Sequence, residues 1–252
     1  MAKTARKNKR RRRGRFAALR KLLSLLLICA AIVAALVLFF KVETITVEGN
    51  QRYSDQEVIE ACGIQPGDNM LLLNKYELSS SIYSKLSYVG AVQISRSYPS
   101  TLKIQVEECS VAAAIVTMDG TWLCSSQGKL LEQASGSLPE NCPRVEGCTL
   151  LLPAAGEKLA MPEADRLRQT RLLELLQALE KENMLPLIRQ IRMGGSSRIT
   201  LTYEERFAVY LPWDGDMEYL VRYLAAVVDK LEANETGIID LTQPGEAHFI
   251  PE

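Results

Sequence analysis

A single membrane-crossing helix followed by an α+β exterior is the architecture this sequence predicts, and three observations predict it. Residues 22–40, LLSLLLICAAIVAALVLFF, are nineteen residues with no charge and one hydroxyl, Ser24. Over roughly the next 67 residues the apolar pattern reads strand, helix, helix, strand, strand. Beyond residue 110, alternating strands and amphipathic helices continue and predict a distal mixed α/β domain with a mainly antiparallel sheet. The expected organisation is a basic cytoplasmic tail (1–21), a transmembrane helix (22–40), a β-α-α-β-β domain (42–109) and the distal domain (110–252).

At ~1.5 Å per residue the apolar run spans roughly 28 Å, about one hydrocarbon core. Lys3, Arg6, Lys7, Lys9, Arg10, Arg11, Arg12, Arg13, Arg15, Arg20 and Lys21 precede it, and no acid occurs before Glu43. Such a flank is a topology determinant. It holds the N-terminus in the cytoplasm and sends everything after Phe40 outside. A cleaved secretory signal would carry a shorter apolar core and a small-residue cleavage site. Here the run ends Phe39-Phe40-Lys41-Val42-Glu43. A lipid-modified Cys29 is the other alternative, but Ile28 stands before it where such signals carry a small residue. An uncleaved anchor is the preferred reading.

The overall net charge of zero sums two opposite halves. Residues 41–252 carry 19 lysines and arginines against 30 acids, a net of −11. An acidic exterior argues against nucleic acid as a partner. Five cysteines lie outside the anchor: Cys62, Cys109, Cys124, Cys142 and Cys148. Their odd number excludes a fully paired framework within one chain. Cys142 with Cys148, or Cys109 with Cys124, could pair; reduced, partly buried thiols are preferred. There is no C-x-x-C and one histidine, His248, so no zinc site and no metal or other cofactor is expected.

The first outer elements follow in order. Thr44-Ile45-Thr46-Val47-Glu48 alternates as a strand, and Gly49-Asn50 ends it. Ser54-Asp55-Gln56-Glu57 is a capping box for a short helix through Val58, Ile59 and Ala61, with Gly63 at its exit. Pro66-Gly67-Asp68-Asn69 is a turn. A second helix runs from about Lys75 to Leu86, with Leu78, Ile82 and Leu86 on one face. Val92 and Ile94 alternate in one strand and Leu102, Ile104 and Val106 in the next, joined by Tyr98-Pro99-Ser100-Thr101.

This order, directly after an anchor, resembles the POTRA domain of the FtsQ/DivIB bacterial cell-division proteins. Val42 to Asn50 is similar to the family's opening strand and its V-x-G-N/L exit, centred on Val47 and Gly49. Tyr88-Val89-Gly90-Ala91-Val92, then Arg96, Tyr98, Pro99 and Leu102, resembles its P-x-V-x-x-V … R-x-W/Y-P-x-T-L signature. Val106-Glu107-Glu108 matches its strand ending.

The remainder resembles the same family. Val111–Val116 and Thr121–Cys124 read as a hairpin around Asp119-Gly120. Ser126-Gln127-Gly128-Lys129-Leu130-Leu131 and Pro143-Arg144-Val145-Glu146-Gly147 are similar to two of the family's short elements. Leu172, Leu175, Leu176 and Leu179 place a helix near 163–183. Ile199, Leu201 and Tyr203 face Phe207, Val209 and Leu211 across a turn at Glu204-Glu205. A final helix carries Met217, Leu220, Val221, Leu224, Val228 and Leu231 on one side. Gly237-Ile238-Ile239-Asp240-Leu241 is similar to the closing I-D-L strand. Residues 132–165 are the loosest stretch, and Gly194-Gly195-Ser196-Ser197 reads as a turn.

No catalytic constellation emerges. A Ser-His-Asp or Cys-His arrangement would rest on His248 alone, which reads as a tail-strand surface residue. Neither G-x-x-x-x-G-K-[ST] nor G-x-G-x-x-G occurs. Glu107-Glu108 and Glu204-Glu205 read as solvated edge and turn positions. The expected function is therefore interaction. The resemblance implies a non-enzymatic divisome scaffold at the septum. It also implies partners among FtsB/DivIC-like and FtsL-like bitopic proteins, extending to a septal penicillin-binding protein. The family's partner-binding final strand falls on Ile238, Ile239, Asp240 and Leu241, continuing to Gln243 and Gly245. A closing strand of this kind is expected at a sheet edge, where a partner strand can pair with it, and Pro244 should end the pairing. A POTRA-containing export or assembly factor and an anchored cell-wall hydrolase or sensor remain the alternatives.

Overall fold

The structure, a computed structural model, describes residues 9–195, 197–232 and 234–252, with side chains from Leu19 onward. Lys3, Arg6, Lys7 and Ser196 lie outside the described residues. Helix α1 (Lys9–Phe39) carries Arg10, Arg11, Arg12, Arg13 and Arg15 on its first turns, and their side chains lie outside the described residues. Arg20 and Lys21 are exposed. From Leu19 to Phe39 the helix is apolar, long enough to cross a membrane and exposed throughout. Phe40, expected inside the span, instead leaves the helix and packs against the next domain.

That domain is β1 (Thr44–Glu48), α2 (Asp55–Cys62), α3 (Lys75–Lys85), β2 (Val89–Ser97) and β3 (Thr101–Glu108). Its strands lie in the order β1-β3-β2, with β1 parallel and β2 antiparallel to β3. The capping box forms: the Ser54 hydroxyl accepts from Glu57 N, and Glu57 reaches back to Ser54 N at 2.8 Å. The same contacts lower the Glu57 pKa. Gly63 ends α2 in the left-handed conformation. Val58, Ile82, Leu102 and Ile104 form the centre of the core.

The distal domain is β4 (Ala113–Thr117), β5 (Gly120–Cys124), β6 (Leu130–Ala134), β7 (Arg144–Glu146), α4 (Arg166–Lys181), β8 (Ile188–Arg192), β9 (Ile199–Tyr203), β10 (Phe207–Leu211), α5 (Met217–Val228), β11 (Gly237–Asp240) and β12 (His248–Pro251). Among the described residues these strands form one sheet, ordered β12-β11-β10-β9-β8-β7-β4-β5-β6. Five of its pairings are antiparallel and three parallel, so the sheet is mainly antiparallel. Leu172, Leu175, Leu176 and Leu179 of α4 and Met217, Leu220, Val221 and Leu224 of α5 cover one face. The hairpin register is the expected one: Tyr203 opposite Phe207, Leu201 opposite Val209, Ile199 opposite Leu211.

The closing strand β11, expected at an edge, is not one. The chain turns beyond Pro244 and returns as β12, so β11 is paired by β10 on one side and β12 on the other. Strands β6, β7 and β8 were not predicted. A β-bulge between Ile188 and Gln190 shifts the phase of β8, so Ile188 and Ile191 both face the core at a helix-like spacing. All six cysteines are free. Burial pushes the thiols of Cys124 and Cys148 up to about 12, and those of Cys62 and Cys142 up to about 11.

Gly49 illustrates how tightly the first domain closes. It adopts φ +89°, and a Cβ there would collide with the Val106 carbonyl oxygen. Gly49→Ala is expected to destabilise the chain by more than about 1 kcal/mol, through both left-handed strain and the clash. Urea denaturation against the parent checks this.

Candidate functional site

The C-terminal edge of the distal sheet is built from the end of the chain inward. Gly237 (φ +149°) opens β11 because β12 passes close by: a Cβ there would meet the Ile250 carbonyl oxygen. Gly237 and Leu241 donate their N–H groups to carbonyls of Arg206 and Tyr210, at 3.2 and 2.9 Å, on the β10 side. Backbone directions alternate along a strand, so Ile238 and Asp240 turn theirs toward β12. Their partners Ile250 and His248 therefore turn inward, and Phe249 and Pro251 turn outward. The free edge consequently offers the N–H and C=O of Phe249 and the C=O of Pro251, which has no N–H.

The side chains divide in the same way. Phe249 leans into the core with its ring 6.0 Å from that of Phe207. Ile250 is 53% exposed on the opposite face. Registered on that face are Ile238, Ala208 and Tyr210, all half-buried, with the Arg198 guanidinium 3.5 Å over the Tyr210 ring. Burial would raise the Asp240 pKa, but bonds from the Thr242 N–H (2.9 Å) and hydroxyl (2.7 Å), with nearby Arg198 and His248, hold it below its ordinary value. His248 is exposed and 3.3 Å from Glu246.

The expected partner-binding residues are thus split. Ile239 and Leu241 are buried in the core. Ile238 and Asp240 line the open face, and Gln243 and Gly245 are exposed in the turn before β12. Sequence reasoning missed Phe249 and Ile250. The alternation His248-Phe249-Ile250-Pro251 was the available signal, four residues long at the very tail.

The motif residues of the first domain are structural. Val47 and Leu102 pack in its core, and Val89 starts β2 fully buried. The Arg96 guanidinium donates to the Leu73 carbonyl at 2.6 Å, tying β2 to the loop before α3. The exposed Tyr98 ring meets Phe40 edge-on at 5.4 Å, and the Tyr98–Pro99 peptide is cis. Within the acid pair Glu107-Glu108, the Glu108 carboxylate fastens the loop after β1 by accepting from the N–H groups of Gln51, Arg52 and Tyr53.

A buried lysine helps to join the two domains. Lys129, in the turn between β5 and β6, is buried and donates to the carbonyls of Tyr83 (2.8 Å), Leu86 (3.0 Å) and Val89 (2.7 Å). Its ammonium also lies 3.6 Å from the Tyr83 ring centre. Around it Tyr88 packs with Ala114, Leu123 and Leu131 from the far face of the sheet. Burial pulls the Lys129 pKa down to about 8, partly opposed by Cys109 and Glu157. Among the described residues no group of three or more His, Cys, Asp or Glu is placed to hold a metal ion.

An apolar helix long enough to cross a membrane, a small β-α-α-β-β domain and a long mixed sheet define the class: two α+β domains behind an N-terminal apolar helix. The comparisons give it a family. The family model described as "POTRA domain, FtsQ-type" matches residues 40–108, and "Cell division protein FtsQ/DivIB, C-terminal" matches residues 114–242. The chain belongs to the FtsQ/DivIB family of cell division proteins. It is 27% identical to the cell division protein FtsQ of Corynebacterium glutamicum, over 65% of this chain and 72% of that one. FtsQ of Syntrophotalea carbinolica is 24% identical over 65% of this chain and 56% of its own. DivIB of Clostridium acetobutylicum is 28% identical over 49% of each. The chain therefore spans between about half and three quarters of these relatives' lengths.

Lys129→Met removes the donor from three carbonyls in a buried junction, and a loss of about 2 kcal/mol in urea unfolding is expected. The pH dependence has a definite sign. Between about pH 8 and 10 the unfolded chain retains the proton that folded Lys129 has released, so this group makes stability rise with pH in that window. Stability measured at pH 7.5 and 9.5 should therefore change more positively in the parent than in Lys129→Met.

Proposed function

We propose that this chain is a non-enzymatic scaffold of the bacterial divisome. In this reading it is a single-pass type II membrane protein with its N-terminus cytoplasmic and its two outer domains beyond the membrane, acting at the division septum. Its partners are FtsB/DivIC-like and FtsL-like bitopic proteins, and through them a septal penicillin-binding protein. Family membership and the basic flank before the apolar helix support the location and orientation.

The observation that carries the binding role is the outer side of β12, with which no strand among the described residues pairs. Phe249 presents a donor and an acceptor there, beside the partly apolar strip of Ile250, Ile238, Ala208 and Tyr210. A partner strand added to β12 satisfies the backbone groups and lays alternate side chains over that strip. Docking is thus assigned to β12, with Ile238 and Asp240 contributing through the open face, and Gln243 and Gly245 flanking it.

The test is the affinity of the chain for the purified outer segment of an FtsB/DivIC-like protein. Ending the chain at Gln243 deletes β12 and should cost at least about tenfold in Kd, or ~1.4 kcal/mol. Ile250→Asp, on an exposed position, should weaken binding while leaving the unfolding midpoint unchanged. Retained or tighter binding after the truncation would move the docking strand to β11 and overturn the assignment to β12.

A further inference from the structure

The membrane-proximal end of the POTRA domain carries a second surface, which the edge-docking role does not use. It is made by three segments that meet at the end of α1. The first, residues 37–42, is the last turn of the helix and its exit. The second is the loop 69–76, and the third is the turn 96–101 between β2 and β3.

Backbone bonds lock these segments together. Met70 N donates to the Phe40 carbonyl, Val42 N to that of Asp68, and Gly67 N to that of Val42, each at 2.8 Å. Glu43 N donates to the Ser100 carbonyl at 2.9 Å. Asn69 makes the decisive contact. Its amide donates at 2.9 Å to the carbonyl of Val37, one of those a helix leaves unsatisfied in its last turn, and its oxygen accepts from Leu71 N at 2.9 Å. Val37 lies about 4.5 Å of helix rise below Phe40. The loop that carries Asn69 therefore reaches down to the level of the apolar helix itself.

The side chains of this loop and the adjacent turn are apolar and uncovered. Leu72 is 79% exposed, Tyr76 81% and Tyr98 57%, with Leu71 and Phe39 also exposed. The three segments contain no carboxylate, although residues 41–252 carry 30 acids against 19 basic groups. They do contain Lys41, Lys75 and Arg96. Acids resume at Glu43, Asp68 and Glu77, on the flanks, and the Asp68 carboxylate accepts from Gln65 N within its own turn.

We infer that this surface docks on the outer leaflet of the bilayer that holds α1. Leu71 and Leu72 enter the acyl–headgroup boundary, Tyr76 and Tyr98 sit at headgroup level, and Lys41 and Lys75 face the phosphates. Leucines inside, tyrosines at the boundary and lysines above are the order a lipid interface selects. Continuity with α1 singles out lipid as the occupant, because the hydrogen bond to Val37 holds the loop beside a helix already in the membrane. The domain then stands on the bilayer at a fixed tilt rather than swinging on a tether. The inference rests on α1 being a membrane anchor.

The experiment uses the full chain in phosphatidylcholine–phosphatidylglycerol nanodiscs, with and without brominated acyl chains as contact quenchers. The parent supplies the background emission of Trp122 and Trp213. Leu72→Trp is expected to add blue-shifted emission and to lose most of it in brominated discs. Met118→Trp, at the fully exposed tip of the β4–β5 hairpin, should add emission that bromine leaves unchanged. Val33→Trp reports the anchor and should be quenched strongly. Quenching at 33 with none at 72 would overturn the docking inference and leave the patch to a protein partner. No quenching at 33 would remove the anchor itself and the inference with it.

Discussion

The buried ammonium of Lys129 is the constraint on which the arrangement of the two domains depends. A charge that has lost its water needs all of its donors used. Here the three acceptors come from the end of α3 and the start of β2, while the lysine belongs to the distal domain. In the observed orientation all three are satisfied together. The small core of Tyr88, Ala114, Leu123 and Leu131 fits that orientation, and Gly156 passes so close to the Ser84 carbonyl that any side chain there would collide with it. Two domains joined by a short linker thereby share one interface and one orientation.

That orientation decides what each end of the molecule offers. Among the described residues the POTRA domain packs on the far face of the distal sheet at β4, β5 and β6. Helices α4 and α5 cover the other face. The far face of β9 to β12 is left open, and β12 lies eight strand positions from β6. At about 4.8 Å per strand the two sheet edges are separated by roughly 38 Å along the sheet. The end that carries the free edge is thus distant from the end tied to α1. A free edge is also a hazard, since any chain can pair with it. This one is short, and Pro251 removes one donor, which limits pairing to a brief ladder.

The first domain was legible because its local signals agree with its packing. The Ser54 capping box, the Gly63 exit, the alternation in β1 to β3 and the glycine at 49 each specify a conformation within a few residues. The hairpin of β9 and β10 was legible for the same reason. Elements that depend on tertiary contacts were not. Strand β7 has three residues and parallel neighbours on both sides, too short to show a period. The bulge in β8 disguised its alternation. Lys129 reads as one more polar residue in a turn, because nothing local reveals that three carbonyls of another domain surround it.

The sequence by itself determined the apolar N-terminal helix, the β-α-α-β-β order that follows it, the mixed sheet beyond and the family, since hydrophobic length, period and turn chemistry are properties of neighbouring residues. It also carried the closing I-D-L segment. Only the tertiary structure decided which strand is the edge. Ile238 to Leu241 look alike whether β12 folds back on them or not, and a strand's neighbour is fixed by a return of the chain and by backbone hydrogen bonds, which side-chain periodicity does not encode. The same holds at the other end of the molecule. Leu71 and Leu72 are two apolar residues in a loop until Asn69 bonds to Val37 and sets them beside the end of the apolar helix.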